Sequence, residues 1–435
     1  MHSVDRINKD AIVTSFHKPY VTAILGPRRV GKTYFASQYA AKQVEVAWVF
    51  LNMDKMDQRE RVQRGELDQL ISESARVVLG AGKKLWVLID EAQKCPAVFD
   101  QIKVLYDRFK DQEAIKFILT GSAVLSLHQL SAESLAGRIE LFHLNPFTLR
   151  EATAYYDSSI PMDSVFDVLA EPLKLEATIA RIAPFRPLLE EQLQKQFIWG
   201  GFPELLGMNN NEDKISYLKN YLQTYLEKDV RSIESIADIN LYRNLMDILA
   251  EQTGSVRSDQ RITDALGCSR DTLKKYRGYL EATLLFQELY PYIGTSLKRF
   301  VKSPKGYLLN NGLISLLTGI MDIPVLEKSG LIGHRLENWF FNEVNVFAAR
   351  QVLPTKLYYW RTSSGVEVDF VLVTKPQVYP FEVTYTHKIQ PKKIKNLKMF
   401  VNSTIGAEWA YYVYTGPFDV DETNKIIFLP CWAIA

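Results

Sequence analysis

Gly26, Gly31, Lys32 and Thr33 fall in the order G-x-x-x-x-G-K-T within VTAILGPRRVGKTYF, residues 21–35. Two glycines let the backbone turn tightly enough for successive N–H groups to converge on phosphate oxygens. A lysine at this spacing reaches the β- and γ-phosphates, and the next hydroxyl can ligate magnesium. The pattern therefore predicts that Gly26, Pro27, Arg28, Arg29, Val30, Gly31, Lys32, Thr33 and Tyr34 surround ATP, with Mg²⁺ beside Thr33. A plain strand-to-helix turn would account for the glycines but would leave the Lys-Thr pair to chance.

Phosphoryl transfer also needs an acid for the metal and an oriented water. LWVLIDEAQK, residues 85–94, ends an apolar run in Asp90-Glu91. This predicts that Asp90 holds the Mg²⁺ shell and that Glu91 orients and deprotonates the attacking water. FILTGS ends another apolar run at residue 122. A polar residue there, Ser122 in the predicted catalytic set, can hydrogen-bond the γ-phosphate or the water. Charge spreading over the γ-phosphate oxygens calls for cations beyond Lys32, and Arg28, Arg29 and Arg138 are the candidates.

Three more acids, Glu337, Asp369 and Glu382, lie near the C-terminal end of the chain. Asp369 and Glu382 fall in two β-patterned runs, 366–373 and 378–385, joined by a Thr-Lys-Pro-Gln turn that predicts a hairpin. Glu337 falls on a helical pattern over 333–350. Convergence of the three would create a Mg²⁺ site suited to phosphodiester cleavage.

The elements that must position these groups follow from periodicity. Short apolar runs at 21–25, 46–52, 85–90, 117–120 and 139–144, separated by helical stretches, predict a parallel five-stranded α/β sheet with ligands at its C-terminal strand ends. Residues 1–150 form this P-loop NTPase domain. A proline-punctuated helical stretch over 151–235, containing GGFPE at 200–204, reads as a helical lid. Over 236–310, helices at 241–251, 259–266 and 270–284 are joined by Gly267-Cys268-Ser269, with Ser269 as N-cap. With the basic ribbon LKRFVKSPKG at 297–306 they read as a winged helix whose Arg270, Lys274, Lys275 and Arg277 face phosphates of DNA. The same charges also suit a solvated face or a protein-packing module. Residues 311–435 form a C-terminal α/β domain.

Among 435 residues, 47% are hydrophobic and 23% charged, with a formal charge of +2. That is ordinary globular composition, so DNA binding would need local clustering of charge. Cys95, Cys268 and Cys431 show neither disulfide nor metal-ligand spacing. No apolar run reaches membrane-spanning length and no signal segment precedes the first strand, so a cytoplasmic location without membrane contact is expected.

In order, GPRRVGKT, LIDEAQ, LTGSA, LAGR, GGFPE, YLEKDV, GHRLEN, EVDF and FEV resemble the pattern of a bacterial and archaeal family of AAA-type P-loop ATPases. The resemblance implies a winged-helix segment and a C-terminal domain similar to the restriction-endonuclease-like, PD-(D/E)xK fold. It also implies that Glu337, Asp369 and Glu382 are the nuclease-fold acids. That fold carries a lysine two residues after the strand acid, and here the position is Thr384, whose hydroxyl cannot supply the charge. Lys388, next to His387, is the nearest substitute.

Three functions stay open. One is an ATP-hydrolysing switch coupled to a winged helix and an inactive nuclease-like domain, with DNA, a protein partner or a second copy as partner. The others are an ATP-licensed DNA nuclease and a non-catalytic DNA-binding regulator with structural ATP.

Overall fold

The computed structural model describes residues 4–78, 84–109, 115–121, 134–230, 236, 238–293 and 303–434. These fall into two compact units, one of residues 7–145 with 282–284, the other of residues 1–6, 146–281 and 285–435.

The first unit is a five-stranded sheet of order β2-β3-β4-β1-β5. Its strands are β1 (Val21–Leu25), β2 (Val46–Asn52), β3 (Lys84–Asp90), β4 (Ile115–Gly121) and β5 (Ile139–His143). Every pairing is parallel. Central strands of a parallel sheet are covered on both faces and need continuous apolar runs. Accordingly β1 is buried throughout, whereas edge strand β5 is only half-buried along its length. Helices α1 (Lys9–Phe16), α2 (Lys32–Ala41), α3 (Met56–Gln63), α4 (Leu67–Val78) and α5 (Ala97–Phe109) complete the unit. One core joins Val49, Leu51 and Val87 of the sheet to Leu70 and Ile71 of α4 and to Phe99 and Ile102 of α5.

The second unit begins with α6 (Leu149–Ala154). Its start is a reciprocal capping box between Thr148 and Glu151, both buried. Then follow α7 (Pro172–Ile182), α8 (Arg186–Trp199), α9 (Asn211–Thr224) and a π-helical turn over Tyr225–Val230 that contains the YLEKDV run. The GGFPE run is explained by packing. Gly200 has φ +70°, and a Cβ there would lie 1.6 Å from Oδ1 of Asn310; a Cβ on Gly201 would lie 2.3 Å from the Phe147 carbonyl oxygen.

Next come α10 (Ile239–Glu251), α11 (Asp259–Leu266) and α12 (Arg270–Ala282), then an antiparallel pair of β6 (Phe286–Leu289) and β7 (Lys305–Leu308). Gly267 in the left-handed region (φ +62°) ends α11. The Ser269 hydroxyl accepts the Thr272 N–H at 3.1 Å, so the expected cap is present. Of the basic ribbon expected over 297–306, residues 297–302 lie outside the described residues.

After α13 (Asn311–Thr318), α14 (Ile323–Lys328) and α15 (Ile332–Arg350), the chain builds a six-stranded sheet of order β12-β13-β11-β10-β9-β8. The strands are β8 (Lys356–Arg361), β9 (Glu367–Val373), β10 (Val378–Val383), β11 (Ala410–Tyr414), β12 (Asp419–Asp421) and β13 (Ile426–Pro430). Between β10 and β11 runs α16 (Pro391–Ser403), whose Leu397 and Phe400 pack on Val371 and Tyr412 of the sheet. The expected hairpin exists: β9 and β10 are antiparallel, with Phe370 opposite Phe381.

Candidate nucleotide site and a buried ion cluster

The phosphate-loop residues follow β1 and lead into α2. Gly26 (φ +154°), Arg29 (φ +61°) and Gly31 (φ +91°) take conformations that wind the loop. Gly26 is required twice over, because a Cβ there would lie 2.1 Å from the Leu144 carbonyl oxygen. Lys32 is buried, and its Nζ donates to the carbonyl oxygens of Gly26 at 2.9 Å and Pro27 at 2.7 Å. The ammonium thus sits inside the loop's curve. Arg28 is half-buried and Arg29 and Tyr34 are exposed, but the Val30 side chain is fully buried, so only its backbone can serve a ligand.

Asp90 ends β3. Its Oδ1 accepts the Thr33 hydroxyl at 2.8 Å and also the Thr120 hydroxyl. Parallel pairing places Ile89 beside Leu119, which brings the next residues of both strands, Asp90 and Thr120, to the same sheet end. A hydroxyl and a carboxylate already in contact are the donor set that a hard divalent cation takes, so the residues fit Mg²⁺ bound with a nucleotide. Glu91 stands in the left-handed region (φ +52°), a strained position for a non-glycine residue, and its Oε2 accepts from Gln93 Nε2 at 2.6 Å.

Two predicted catalytic residues fare differently. Ser122 lies outside the described residues, and the polar residue that meets Asp90 is Thr120. Arg138 is not brought to the phosphate loop. It immediately precedes β5, whose first residue pairs with Val21 at the start of β1, whereas the loop follows the end of β1. A five-residue strand, roughly 17 Å long, separates the two ends. Arg138 instead forms a two-bonded ion pair with Asp107 at 2.9 and 3.1 Å.

In the second unit the three distal acids do converge, but around two lysines. Lys305 Nζ lies 3.1 Å from Glu337, 2.7 Å from Glu367 and 3.9 Å from Asp369. Lys393 Nζ lies 3.0 Å from Asp369 and 2.9 Å from Glu382. Tyr307 donates its hydroxyl to Glu337 at 2.5 Å. The hairpin register explains the pairing: with Phe370 opposite Phe381, Asp369 and Glu382 are the next residues across, on the face that α16 covers. Among the described residues no group of three acids, histidines or cysteines is arranged to hold a metal. Ammonium groups bridge these carboxylates instead.

Burial and the neighbouring Asp369 charge push Glu382 up to about 9. Burial alone would also lift Asp369, but Lys393 and Lys305 over-compensate and hold it well below the usual carboxylate range. One carboxyl of the facing pair is therefore protonated at neutral pH and the other ionised.

The ammonium that meets Asp369 and Glu382 is that of Lys393; Lys388 is exposed. The signal was present in the sequence, since residues 393, 397 and 400 share one helical face and the latter two are core. Lys305, which falls within the basic ribbon expected over 297–306, is 3% exposed and belongs to this cluster. Arg277 is likewise no DNA contact: it is buried against Asp259 at 2.6 Å and Glu288 at 2.7 Å. Arg270, Lys274 and Lys275 are exposed.

Residues 18–153 match the model of an AAA domain. Residues 190–323 and 332–434 match two domains of unknown function, DUF8612 and DUF4143. The chain is 26% identical to the uncharacterized protein Rv2008c of Mycobacterium tuberculosis, over 86% of this chain and 72% of that protein. It is 25% identical to the uncharacterized protein MJ1544 of Methanocaldococcus jannaschii, over 87% and 80%. A solved RuvB of Thermotoga maritima aligns at 16% identity over 62% of this chain and 81% of its own, with a TM-score of 0.30. At that score the likeness bears no weight. The parallel sheet, the wound phosphate loop and the AAA match make residues 18–153 a nucleotide-binding, ATPase-type domain. No helix among the described residues is long and apolar enough to cross a membrane.

Proposed function

We propose that the protein binds and hydrolyses ATP with Mg²⁺ and uses nucleotide state to reposition its second unit, acting as a molecular switch. The observation that carries this reading is the shared Asp90 oxygen, contacted by Thr33 and Thr120 beside a loop that already enfolds the Lys32 ammonium. Bound magnesium supplies positive charge against the phosphate oxygens, and Thr33 and Asp90 would hold it. Lys32 leaves the Gly26 and Pro27 carbonyls for the β- and γ-phosphates. Glu91 orients the water and accepts its proton. Arg28 and Arg29 are the cations nearest the γ-phosphate along the chain. Arg138, at the far sheet end, can serve only a second copy's site. Phosphate release measured on purified protein with ATP and Mg²⁺ tests the reading: Lys32→Ala is expected to abolish it, and unchanged release in that variant overturns the proposal.

A second reading, ATP-licensed DNA cleavage, gains from Lys393, which places an ammonium between Asp369 and Glu382 where Thr384 could not. Against it, that ammonium occupies the position a metal would need. Incubation with linear and supercoiled DNA, Mg²⁺ or Mn²⁺, and ATP separates the two, since only a nuclease gives cutting that disappears in Asp369→Ala. DNA association without cleavage would rest on the exposed Arg270, Lys274 and Lys275 of the helix-turn-helix, as in a winged helix.

A further inference from the structure

Between Glu382 and Glu408 the chain carries no acid but five lysines: Lys388, Lys392, Lys393, Lys395 and Lys398. The whole chain is formally only +2, so the remaining residues together are net negative and positive charge is concentrated in this stretch. The stretch runs from the end of β10 through α16, and the fold sorts its lysines. Leu397 and Phe400 of α16 enter the core, and Lys393 on the same face meets Asp369 and Glu382. Lys392, Lys395 and Met399, three and four positions apart, share the opposite face and are exposed. Lys388 is exposed in the loop that leads into the helix, and Lys398 is half-buried at its flank.

Among the described residues, Lys393 alone of the five has a carboxylate within ion-pairing distance. In the segment joining β12 to β13, Asp421 accepts from the Asn424 side chain, which with Lys398 as a lesser influence holds it low, and Glu422 pairs with Lys425 at 3.3 Å. The carboxylates beneath α16 are bridged by Lys393 and Lys305. The outer face of α16 is therefore a row of cations whose counter-charge the fold does not supply.

We propose that this face, with Lys388 before it, binds the phosphate backbone of a nucleic acid without reading its sequence. It is a different surface from the Arg270, Lys274 and Lys275 of α12 and does not depend on ATP hydrolysis. Three features favour this partner over other anionic ones. Lysine is a point charge that suits phosphates in any base context, and the face holds no arginine for bidentate base contacts. A membrane-surface helix needs a free apolar face, whereas that of α16 is spent on the sheet, and the exposed Ile389 and Met399 are too few to replace it. Protein interfaces are depleted in lysine and anchored by aromatic residues, which the outer face of α16 lacks. A helix of 13 residues is about 20 Å long, enough to follow about six base steps of one strand.

Fluorescence anisotropy of the full chain with labelled 20-base-pair duplexes of two unrelated sequences, and with one of their single strands, tests the inference. Saturable binding with Kd below about 100 µM at about 50 mM salt is expected, equal for the two sequences within about twofold, with a slope of log K against log salt near −3. Lys388→Gln/Lys392→Gln/Lys395→Gln should weaken it at least about tenfold and flatten the slope by about two or more, with the melting temperature unchanged. Arginine at the same three positions should keep the affinity, which a merely structural role would not predict. Failure of every probe to bind, or full affinity and slope in the folded glutamine variant, would overturn the proposal. So would binding that disappears in Lys274→Gln/Lys275→Gln while surviving in that variant. Capture by phosphatidylserine vesicles without any DNA binding would overturn it in favour of a membrane surface. Phosphate release from ATP, measured in the same glutamine variant and expected to persist, reports separately on the switch.

Discussion

Replacing Lys393 by Met removes the ammonium that joins Asp369 and Glu382 while keeping most of the side chain's volume. Three contacts are lost: Asp369 at 3.0 Å, Glu382 at 2.9 Å and the Val383 carbonyl at 3.1 Å. Breaking a buried ion pair by deleting one partner typically costs about 3–5 kcal/mol. The low end applies here, because Glu382 is already protonated at neutral pH and Lys305 still lies 3.9 Å from Asp369. The expected loss is therefore about 3 kcal/mol at pH 7 and smaller at acid pH, as Asp369, left with Lys305 as its nearest cation, takes up a proton more readily. Urea denaturation followed by tryptophan fluorescence, compared with the unmodified protein at pH 7 and at acid pH, measures it. Asp369→Asn in the same background should restore part of the loss, because the orphaned charge disappears with it. A loss below about 1 kcal/mol at pH 7, or one that grows on acidification, would refute a charge-pairing role for Lys393.

Three further outcomes follow from the same geometry. Glu382 is raised from 4.5 to about 9, so the stability it contributes is fully present below 4.5 and is lost as pH rises through 9; Glu382→Gln should flatten the fall between pH 7 and 9 in a denaturation series, and an unchanged slope would count against the assignment. Thr120→Val removes one of two hydroxyls on Asp90 Oδ1 and should slow phosphate release by about 10- to 100-fold with little change in nucleotide affinity, so an unaltered rate excludes Thr120 from the site. Gly200→Ala must displace Asn310, whose Oδ1 accepts the Gly312 N–H at 2.7 Å to cap α13 and would lie 1.6 Å from the new Cβ at φ +70°; a loss of about 2 kcal/mol or more is expected in the same denaturation assay, and a neutral result would count against this close packing.

Much of the candidate nucleotide site's geometry was legible because it is local. Gly26 to Thr33 lie on one loop, and Asp90 ends an apolar run whose length marks a buried strand. The turn between α11 and α12 was legible for the same reason: Gly267 and Ser269 satisfy helix ends within a few residues of themselves. Convergence of Asp369 and Glu382 followed from a tight hairpin, where period-two alternation fixes which side chains share a face.

Charges whose partners lie far along the chain were not legible. Lys305 looked like a ribbon cation and meets Glu337 and Glu367, 32 and 62 positions on. Arg277 looked like a phosphate contact and is consumed by Asp259 and Glu288. Arg138 carried the right chemistry at the wrong end of β5. A cation's type says what it can bind, but which anion it meets is decided by the packing that removes both from water. Residue order alone therefore determined the phosphate loop, its acid and the class of sheet that carries them. Tertiary structure decided that Lys393 and Lys305 would meet the distal acids, because burial turns a solvated charge into one that must be matched.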